Sequence, residues 1–326
     1  QEDRVPAGGL AHHLDDLTRK GADVGPPVTA DLGLASRDRF ALIAGNRVEF
    51  IDCYFAAAKS GLILVPLNTR LALAELRGII ADSGARVVLS GRREDALRAV
   101  ANELPTDSLV LPFEVTDFAA LASKVEDAWA WAGRVDILVN NAGISQRSLA
   151  IDTEPAVYTH LLNVDLVAPI WLTQLQLQRM ADAGGGHIVA ISSVAGRIGA
   201  PLRTAYSAAK HGLIGYMDAL RSEVSVPHNI QVTNVLPGSV ATDVSRNAVT
   251  EDGSRRGKSD ANIDAGDDPM DCARAILDAV ENNVPELIFA KGMELDLARM
   301  RHENPEQLFE LAGQLGAQLA AEGIPE

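Results

Sequence analysis

Short apolar segments alternate with helical segments along most of this sequence, and that alternation restricts the fold more than any other feature. Residues 40–89 follow the order strand, helix, strand, helix, strand, and Gly61 and Gly84 stand where the two helices should end. The alternation continues to Leu287, with further strands predicted at residues 109–113, 137–139, 187–191 and 231–235. This order is typical of a parallel sheet with helices on both faces. We therefore predict an α/β fold with one doubly wound, Rossmann-like parallel sheet that contains both residues 87–89 and residues 137–139.

Composition and charge exclude several classes of protein. The 326 residues are 47% hydrophobic and 22% charged, which is usual for a folded globular chain. The formal net charge of -15 opposes binding to nucleic acid or anionic lipid, because both are bound through Lys and Arg. Cys53 and Cys272 have no Cys or His at metal-ligand spacing, so we expect neither a metal site nor a disulfide framework. We find no apolar segment of signal-peptide or membrane-spanning type, and we expect a cytoplasmic protein with no membrane partner.

Tyr206 and Lys210 are four residues apart, so one helical turn places both side chains on the same face. A neighbouring ammonium group favours the phenolate form of a tyrosine, which suits it to acid–base chemistry. Ser193 lies just after the predicted strand 187–191, where its hydroxyl would stand at the carboxyl edge of the sheet. A Tyr/Lys pair alone is common in helices, but a serine at this spacing favours a catalytic site.

Three further motifs have the order and spacing of one family. The run NNAG at residues 140–143 follows a predicted strand, LNVD at 162–165 lies in a long helical segment, and PGSVAT at 237–242 follows another strand. Together with Ser193 and the Tyr/Lys pair, these motifs resemble the short-chain dehydrogenase/reductase family. The resemblance covers residues from about 86 to about 295.

The resemblance implies a catalytic set of Asn163, Ser193, Tyr206 and Lys210. Tyr206 would donate or accept the proton, and Ser193 would hydrogen-bond the substrate carbonyl oxygen, where charge develops. Lys210 would favour the Tyr206 phenolate and hold the nicotinamide ribose, while Asn163 would seat a water that links Lys210 to solvent. The implied reaction is hydride transfer between a nicotinamide cofactor and a small carbonyl or alcohol substrate.

Residues after the predicted strand 87–89 favour NADP(H) over NAD(H). A carboxylate there would bind the ribose 2′-hydroxyl of NAD, whereas an arginine suits the 2′-phosphate of NADP, and this sequence has Arg92 and Arg93. The alternative is that both are solvated residues at the start of a helix. The resemblance implies further cofactor contacts near the adenine and in the NNAG and PGSVAT turns. The complete predicted set is Arg92, Val115, Asn140, Ala142, Gly143, Tyr206, Lys210, Pro237, Gly238, Val240 and Thr242.

The N-terminal part departs from the family pattern. The family begins with a strand and T-G-x-x-x-G-x-G, whose glycines let the backbone approach the cofactor pyrophosphate, but this sequence has no G-x-x-x-G-x-G run. Residues 38–50, with YFAAAKSG at 54–61 and VPLN at 65–68, instead resemble the N-terminal part of adenylate-forming acyl-CoA synthetases. This β-α-β-α segment would replace the first strand and the glycine-rich loop. We therefore predict a synthetase-like segment over residues 1–85, a reductase-like domain over 86–295 and a C-terminal amphipathic helix over 296–326.

The missing loop leaves two functions open. One is an NADP(H)-dependent oxidoreductase with weakened cofactor binding. The other is a catalytically silent fusion, or a binding or scaffold protein, that keeps the catalytic residues but cannot hold dinucleotide. The phosphate loop and later motifs of the synthetases are missing, so ligase activity is not expected. The expected partners are a small-molecule substrate and, as one option, a second copy of the chain.

Overall fold

The computed structural model describes residues 86–104 and 106–322. Its strands are β1 (Val87–Gly91), β2 (Ser108–Pro112), β3 (Ile137–Asn140), β4 (Gly186–Ile191), β5 (Ile230–Pro237) and β6 (Glu286–Phe289). Its α-helices are α1 (Glu94–Ala101), α2 (Leu121–Ala132), α3 (Pro155–Leu162), α4 (Ala168–Asp182), α5 (Thr204–Val224), α6 (Ala261–Asp264), α7 (Pro269–Glu281), α8 (Gly292–Glu303) and α9 (Pro305–Glu322). Strands alternate with helices from β1 to β6, as predicted for a Rossmann-like α/β fold.

All strand pairs are parallel, but the described strands form two sheets. β1 pairs with β2, and β3, β4, β5 and β6 pair in that order. The prediction that residues 87–89 and 137–139 share one sheet is therefore wrong for the described part of the chain. A sheet is continuous only where neighbouring strands exchange backbone hydrogen bonds, and β1 and β3 do not pair with each other. The additional strand predicted at residues 40–44, with the rest of the synthetase-like segment, lies outside the described residues.

One hydrophobic core serves both sheets. Val88 and Leu89 of β1 are fully buried in the same cluster as Leu138 and Val139 of β3. Burial on both faces explains why these strands are continuous apolar runs rather than alternating ones. The helices α2, α4, α5 and α7 each add buried side chains to this cluster, including Leu121, Leu172, Leu213 and Ile276.

The long helix predicted over residues 154–183 is interrupted at its centre. After α3 ends, Asn163–Val167 form a π-helical turn in which the Ala168 N–H donates to the Asn163 carbonyl. Such turns widen a helix locally and are frequent at functional sites. This π turn contains Asn163 and Asp165, both of which bear on the candidate site.

The single C-terminal helix predicted over residues 296–326 is instead the pair α8 and α9. Pro305 is the cause, because proline lacks an N–H and its ring clashes with a preceding helical turn, so a new helix begins there. Of the predicted leucine stripe, Leu308 and Leu319 are buried, whereas Leu311 and Leu315 are exposed. Within the described residues, the helices are too short or too polar to cross a membrane.

We expect His187, in β4, to make folding sensitive to acid. Its ring is buried with Nε2 at 2.8 Å from Thr233 Oγ1, and burial lowers the pKa of His187 from 6.5 to about 3. Below pH 6.5 the unfolded chain binds a proton that the folded chain does not, so stability is lost as the pH falls from 6.5 towards 3. Between pH 7 and pH 5, the free energy of unfolding in urea should fall by about 2 kcal/mol less in a His187→Gln variant than in the wild type.

His228 provides the matched control, because its side chain is exposed after the end of α5. The His228→Gln variant should show the same pH dependence as the wild type. Equal pH dependence in the wild type and the His187→Gln variant would contradict the assignment.

Candidate active site

The carboxyl ends of β4 and β5 lie side by side, and predicted site residues follow both ends. Ile191 is opposite Val235 in the parallel register. Two residues further along each chain segment, the Ser193 hydroxyl donates to the Pro237 carbonyl at 3.3 Å. Ligands of parallel α/β sheets bind outside this edge. The fold therefore joins Ser193 to the PGSVAT turn.

Ser193 also caps the short 3₁₀ turn that follows it. Its Oγ atom accepts a hydrogen bond from the Ala195 N–H at 3.1 Å. The preceding Ser192 donates to the backbone carbonyl of Lys210 in α5 at 3.0 Å. These bonds hold the Ser193 turn against the helix that carries Tyr206 and Lys210.

Lys210 is buried and contacts both the end of β4 and the π turn. Its Nζ atom donates to the Ile191 carbonyl at the end of β4 at 3.0 Å and lies 3.3 Å from Asp165 Oδ1. An ammonium group has three N–H donors, so one remains for a ligand. On the same face of α5, as predicted, Tyr206 is half-buried, with its ring centre 5.6 Å from Lys210 Nζ.

Asp165 is a site residue that sequence reasoning missed. It is fully buried, and its Oδ1 atom also accepts a hydrogen bond from the Ile144 N–H at 3.1 Å. Burial raises the pKa of Asp165 from 3.8 to about 6, against the opposing effects of the Lys210 charge and the Ile144 hydrogen bond. The sequence feature that could have identified Asp165 is an acidic residue between the apolar residues Val164 and Leu166 in a helical segment.

The NNAG turn after β3 approaches the Lys210–Asp165 pair. A Cβ atom on Gly143 would lie 2.6 Å from Asp165 Oδ1 and 3.4 Å from Lys210 Nζ, so only glycine fits without displacement. Asn140 is turned away from this edge, because its buried amide donates to Thr173 Oγ1 in α4 at 2.9 Å. The half-buried Ala142 packs against the main core.

Asn163 begins the π turn, and its neighbour Asp165 makes the contact with Lys210. The predicted catalytic asparagine therefore lies in the segment that packs against Lys210. Its side chain is half-buried. The water that would link Asn163 to Lys210 stays a prediction.

Comparisons with known proteins identify the family. A family model described as short chain dehydrogenase matches residues 74–253, which is more than half of the chain. The chain belongs to the short-chain dehydrogenase family. Dehydrogenase/reductase SDR family member 7B of Bos taurus is 36% identical over 238 residues, which cover 70% of this chain and 73% of that protein. The protein of the same name from Xenopus tropicalis is 39% identical over 217 residues, 64% of this chain and 70% of that protein.

Two solved short-chain dehydrogenase structures share the fold. The structure from Streptomyces avermitilis has a TM-score of 0.64 at 24% identity, over 88% of this chain and 97% of that chain. The structure from Burkholderia phymatum, solved in complex with NAD, has a TM-score of 0.62 at 17% identity, over 84% of this chain and 96% of that chain.

The short-chain dehydrogenase match confirms the family inferred from the motifs but changes its boundary. It begins at residue 74, before the boundary predicted at residue 86. Residues 74–85 therefore belong to the family match, although we assigned them to the synthetase-like segment. The comparisons do not support that synthetase-like origin, and the division into three parts stays a prediction.

In this short-chain dehydrogenase, a carboxylate from α8 stabilises the PGSVAT turn. Glu294 accepts hydrogen bonds from the Ser239 N–H and the Ser239 hydroxyl, both at 2.7 Å. A Cβ atom on Gly238 would come too close to Glu294 Oε2, so a larger residue there would require the Glu294 side chain to shift. Val240 forms an isolated parallel bridge with Asp267, and Thr242 is half-buried in the same segment. Sequence reasoning did not find Glu294, which lies far along the chain from this turn.

The residues predicted for the far end of the cofactor follow β1 and β2. Arg92 is exposed, with Nε at 3.5 Å from Glu114 Oε2, and an exposed pair of this kind contributes little to stability. Val115 is buried. Lys210 and the Gly143 turn thus lie together at the sheet edge, whereas the segment before β1 lies outside the described residues.

We expect Asp165 to destabilise the folded protein above about pH 6. The folded state holds a proton on this carboxyl up to about pH 6, whereas the unfolded state loses it near 3.8, so this residue's contribution to stability falls as the pH rises between these values. The Asp165→Asn variant lacks this dependence. In urea titrations, we compare the free energy of unfolding of the variant with that of the wild type. The difference, variant minus wild type, should increase by about 2 kcal/mol from pH 4.5 to pH 7.

Asp152→Asn is the control variant, because Asp152 is an exposed carboxylate after β3. Its difference from the wild type should be the same at both pH values. A constant difference for Asp165→Asn as well would show that the buried carboxyl does not titrate in this range.

Proposed function

We propose that this chain catalyses the reversible reduction of a ketone or aldehyde to an alcohol, with NADP(H) as hydride donor and acceptor. The observation that supports this most strongly is the placement of Tyr206 and Lys210 on one face of α5, 5.6 Å apart from ring centre to Nζ. The Ser193 turn is fastened to the same helix through Ser192. Three side chains with complementary roles in carbonyl reduction therefore come together at one edge of the sheet.

Each residue has a role in this proposal. Tyr206 donates a proton to the carbonyl oxygen during reduction and accepts it during oxidation. Lys210 lies on the same face of α5 as Tyr206, and its third N–H is available to the ribose. Ser193, whose bond to Pro237 is long at 3.3 Å, redirects its hydroxyl to the substrate oxygen. A bound nicotinamide would supply or accept the hydride.

We propose NADP(H) as the cofactor because Arg92 stands at the carboxyl end of β1, where a 2′-phosphate would be recognised. We also propose that its binding is weak, because the sequence has no G-x-x-x-G-x-G loop for the pyrophosphate. Two lost charge-assisted contacts, at about 1.5–3 kcal/mol each, correspond to roughly two to four decades in affinity. We also propose a synthetase-like origin for the residues that precede the short-chain dehydrogenase match, which begins at residue 74, and a cytoplasmic location for the protein.

Replacing Tyr206 with phenylalanine should reduce turnover by roughly 100-fold or more, because the proton donor is lost while the ring remains. NADPH binding, followed by nicotinamide fluorescence, should not change. Tyr216→Phe is the control on the same helix, since the Tyr216 hydroxyl bonds to Gln174 at 2.8 Å, away from Lys210. Near-normal turnover of the Tyr206→Phe variant would refute the proposed reaction.

Titration with NADPH and NADH tests the cofactor proposal. We expect saturation only near roughly millimolar NADPH, with weaker binding of NADH. An Arg92→Gln substitution should remove this preference, whereas Arg98→Gln, at an exposed arginine paired with Glu94 on α1, should preserve it. Tight binding of NADPH would contradict the cost assigned to the missing loop, and absence of binding would favour the catalytically silent alternative.

A further inference from the structure

Three arginines surround one carboxylate beside the predicted catalytic tyrosine. Arg147, in the loop after β3, and Arg256, in the segment between β5 and α6, both form ion pairs with Asp260. Arg203, three residues before Tyr206, places Nη2 at 3.7 Å from Asp260 Oδ2. Positive charge is therefore concentrated here in a protein whose formal net charge is -15.

The packing of the loops accounts for two of these arginines. Arg256 Nη1 lies 2.6 Å from Asp260 Oδ1 and donates to Ser245 Oγ at 3.0 Å. Arg147 donates to Asp260 Oδ2 and, at 3.0 Å, to the Gln146 carbonyl. Both side chains are almost fully buried, so these bonds fasten the segment after β5 to the loop after β3. A structural role is sufficient for Arg147 and Arg256.

Such a role does not account for Arg203. Its side chain is about three-quarters buried, with 24% exposed, and its guanidinium makes no hydrogen bond within residues 86–104 and 106–322. The 3.7 Å contact with Asp260 is longer than a hydrogen bond. Asp260 already accepts bonds from Arg147, Arg256 and Ser245. The Arg203 donors that lack a protein acceptor therefore reach solvent and are available to bind a further anion.

The surroundings of Arg203 indicate where that anion belongs. Its charge interacts with Tyr206 and with Glu294, and both Glu294 oxygens are already bonded to Ser239. The unused donors therefore lie close to the tyrosine that would protonate the substrate. An anion at this position would be carried by the substrate rather than by the distant 2′-phosphate end of the cofactor, which follows β1.

We propose that Arg203 binds a carboxylate or phosphate group of the substrate. This inference rests on the proposed reduction and adds a substrate class, namely a carbonyl compound with a negative charge near its reacting carbon. The planar fork of an arginine suits both anions, because two parallel N–H bonds match two oxygens of either group.

Matched substrate pairs test the proposal with the full chain and NADPH. Acetoacetate is compared with methyl acetoacetate, and glyceraldehyde 3-phosphate with glyceraldehyde, so that each pair differs in its anionic group. We expect the wild type to prefer the charged member of at least one pair. Arg203→Gln should raise KM for that compound by roughly ten- to a hundred-fold, and should lower kcat/KM for it at least about tenfold more than for its neutral partner. Arg203→Lys, which keeps the charge but not the fork, should give an intermediate KM.

Phosphate binding provides a measurement that does not depend on turnover. Inorganic phosphate is titrated into the protein by calorimetry at low ionic strength, without cofactor or substrate. Saturable binding that Arg203→Gln weakens about tenfold or more, and that Arg255→Gln leaves unchanged, supports the anion site. Arg255 is the control because it is exposed and adjacent to Arg256 in the same loop.

The two measurements separate the anion site from the proposed reaction. Arg203-dependent phosphate binding without turnover of any compound would support the anion site and count against the reductase proposal. In the opposite case, Arg203→Gln would lower turnover of the charged and the neutral compound equally and would leave phosphate binding unchanged. This result would overturn the anion site and support the reductase. That result would instead indicate that Arg203 acts through the charge of Tyr206.

Discussion

The parallel register of β3, β4 and β5 is the constraint on which the candidate site depends. Asn140 is opposite Ala190, and Ile191 is opposite Val235, so the three strands end at one edge within three residues of each other. A shift of one residue would turn every side chain of a strand to the other face and would bury the wrong set. Because the register is held, the turns that follow these strands meet, and α5 lies across them with Lys210 bonded to the end of β4.

The candidate site also contains two buried charged side chains. Lys210 and Asp165 are both removed from water and partly compensate each other, with the Ile144 N–H and the Ile191 carbonyl completing the set. Such pairs do not by themselves stabilise a fold, since desolvation offsets the attraction. Stability therefore does not account for this pair, which lies at the edge where Gly143 approaches.

Two interruptions of regular structure position these groups. The π turn at Asn163–Val167 rotates the helix locally, so Asp165 contacts Lys210 while α4 continues along the sheet. The loops after β3 and β5 are joined by backbone bonds such as Arg147 N–H to the Val249 carbonyl at 2.9 Å. These loops bring guanidinium groups from three separate segments to Asp260. Neither interruption follows from hydrophobic periodicity.

The sequence by itself determined the element types, the parallel class and the identity of the catalytic motifs. These are local properties, because periodicity and the four-residue spacing of Tyr206 and Lys210 act over one or two turns. Tertiary structure alone decided which distant groups meet. Asp165 contacts Lys210, although α4 and β4 lie between them in the chain. Glu294 fixes the Ser239 turn from α8, and Arg147 reaches Asp260 from 113 residues away in the chain. Pro305 could be read from the sequence, yet the leucines that follow it predicted one helix. The separation of β1 and β3 into two sheets had no signal in the sequence. Such outcomes depend on packing and hydrogen bonding between segments, which no local pattern of residue types encodes.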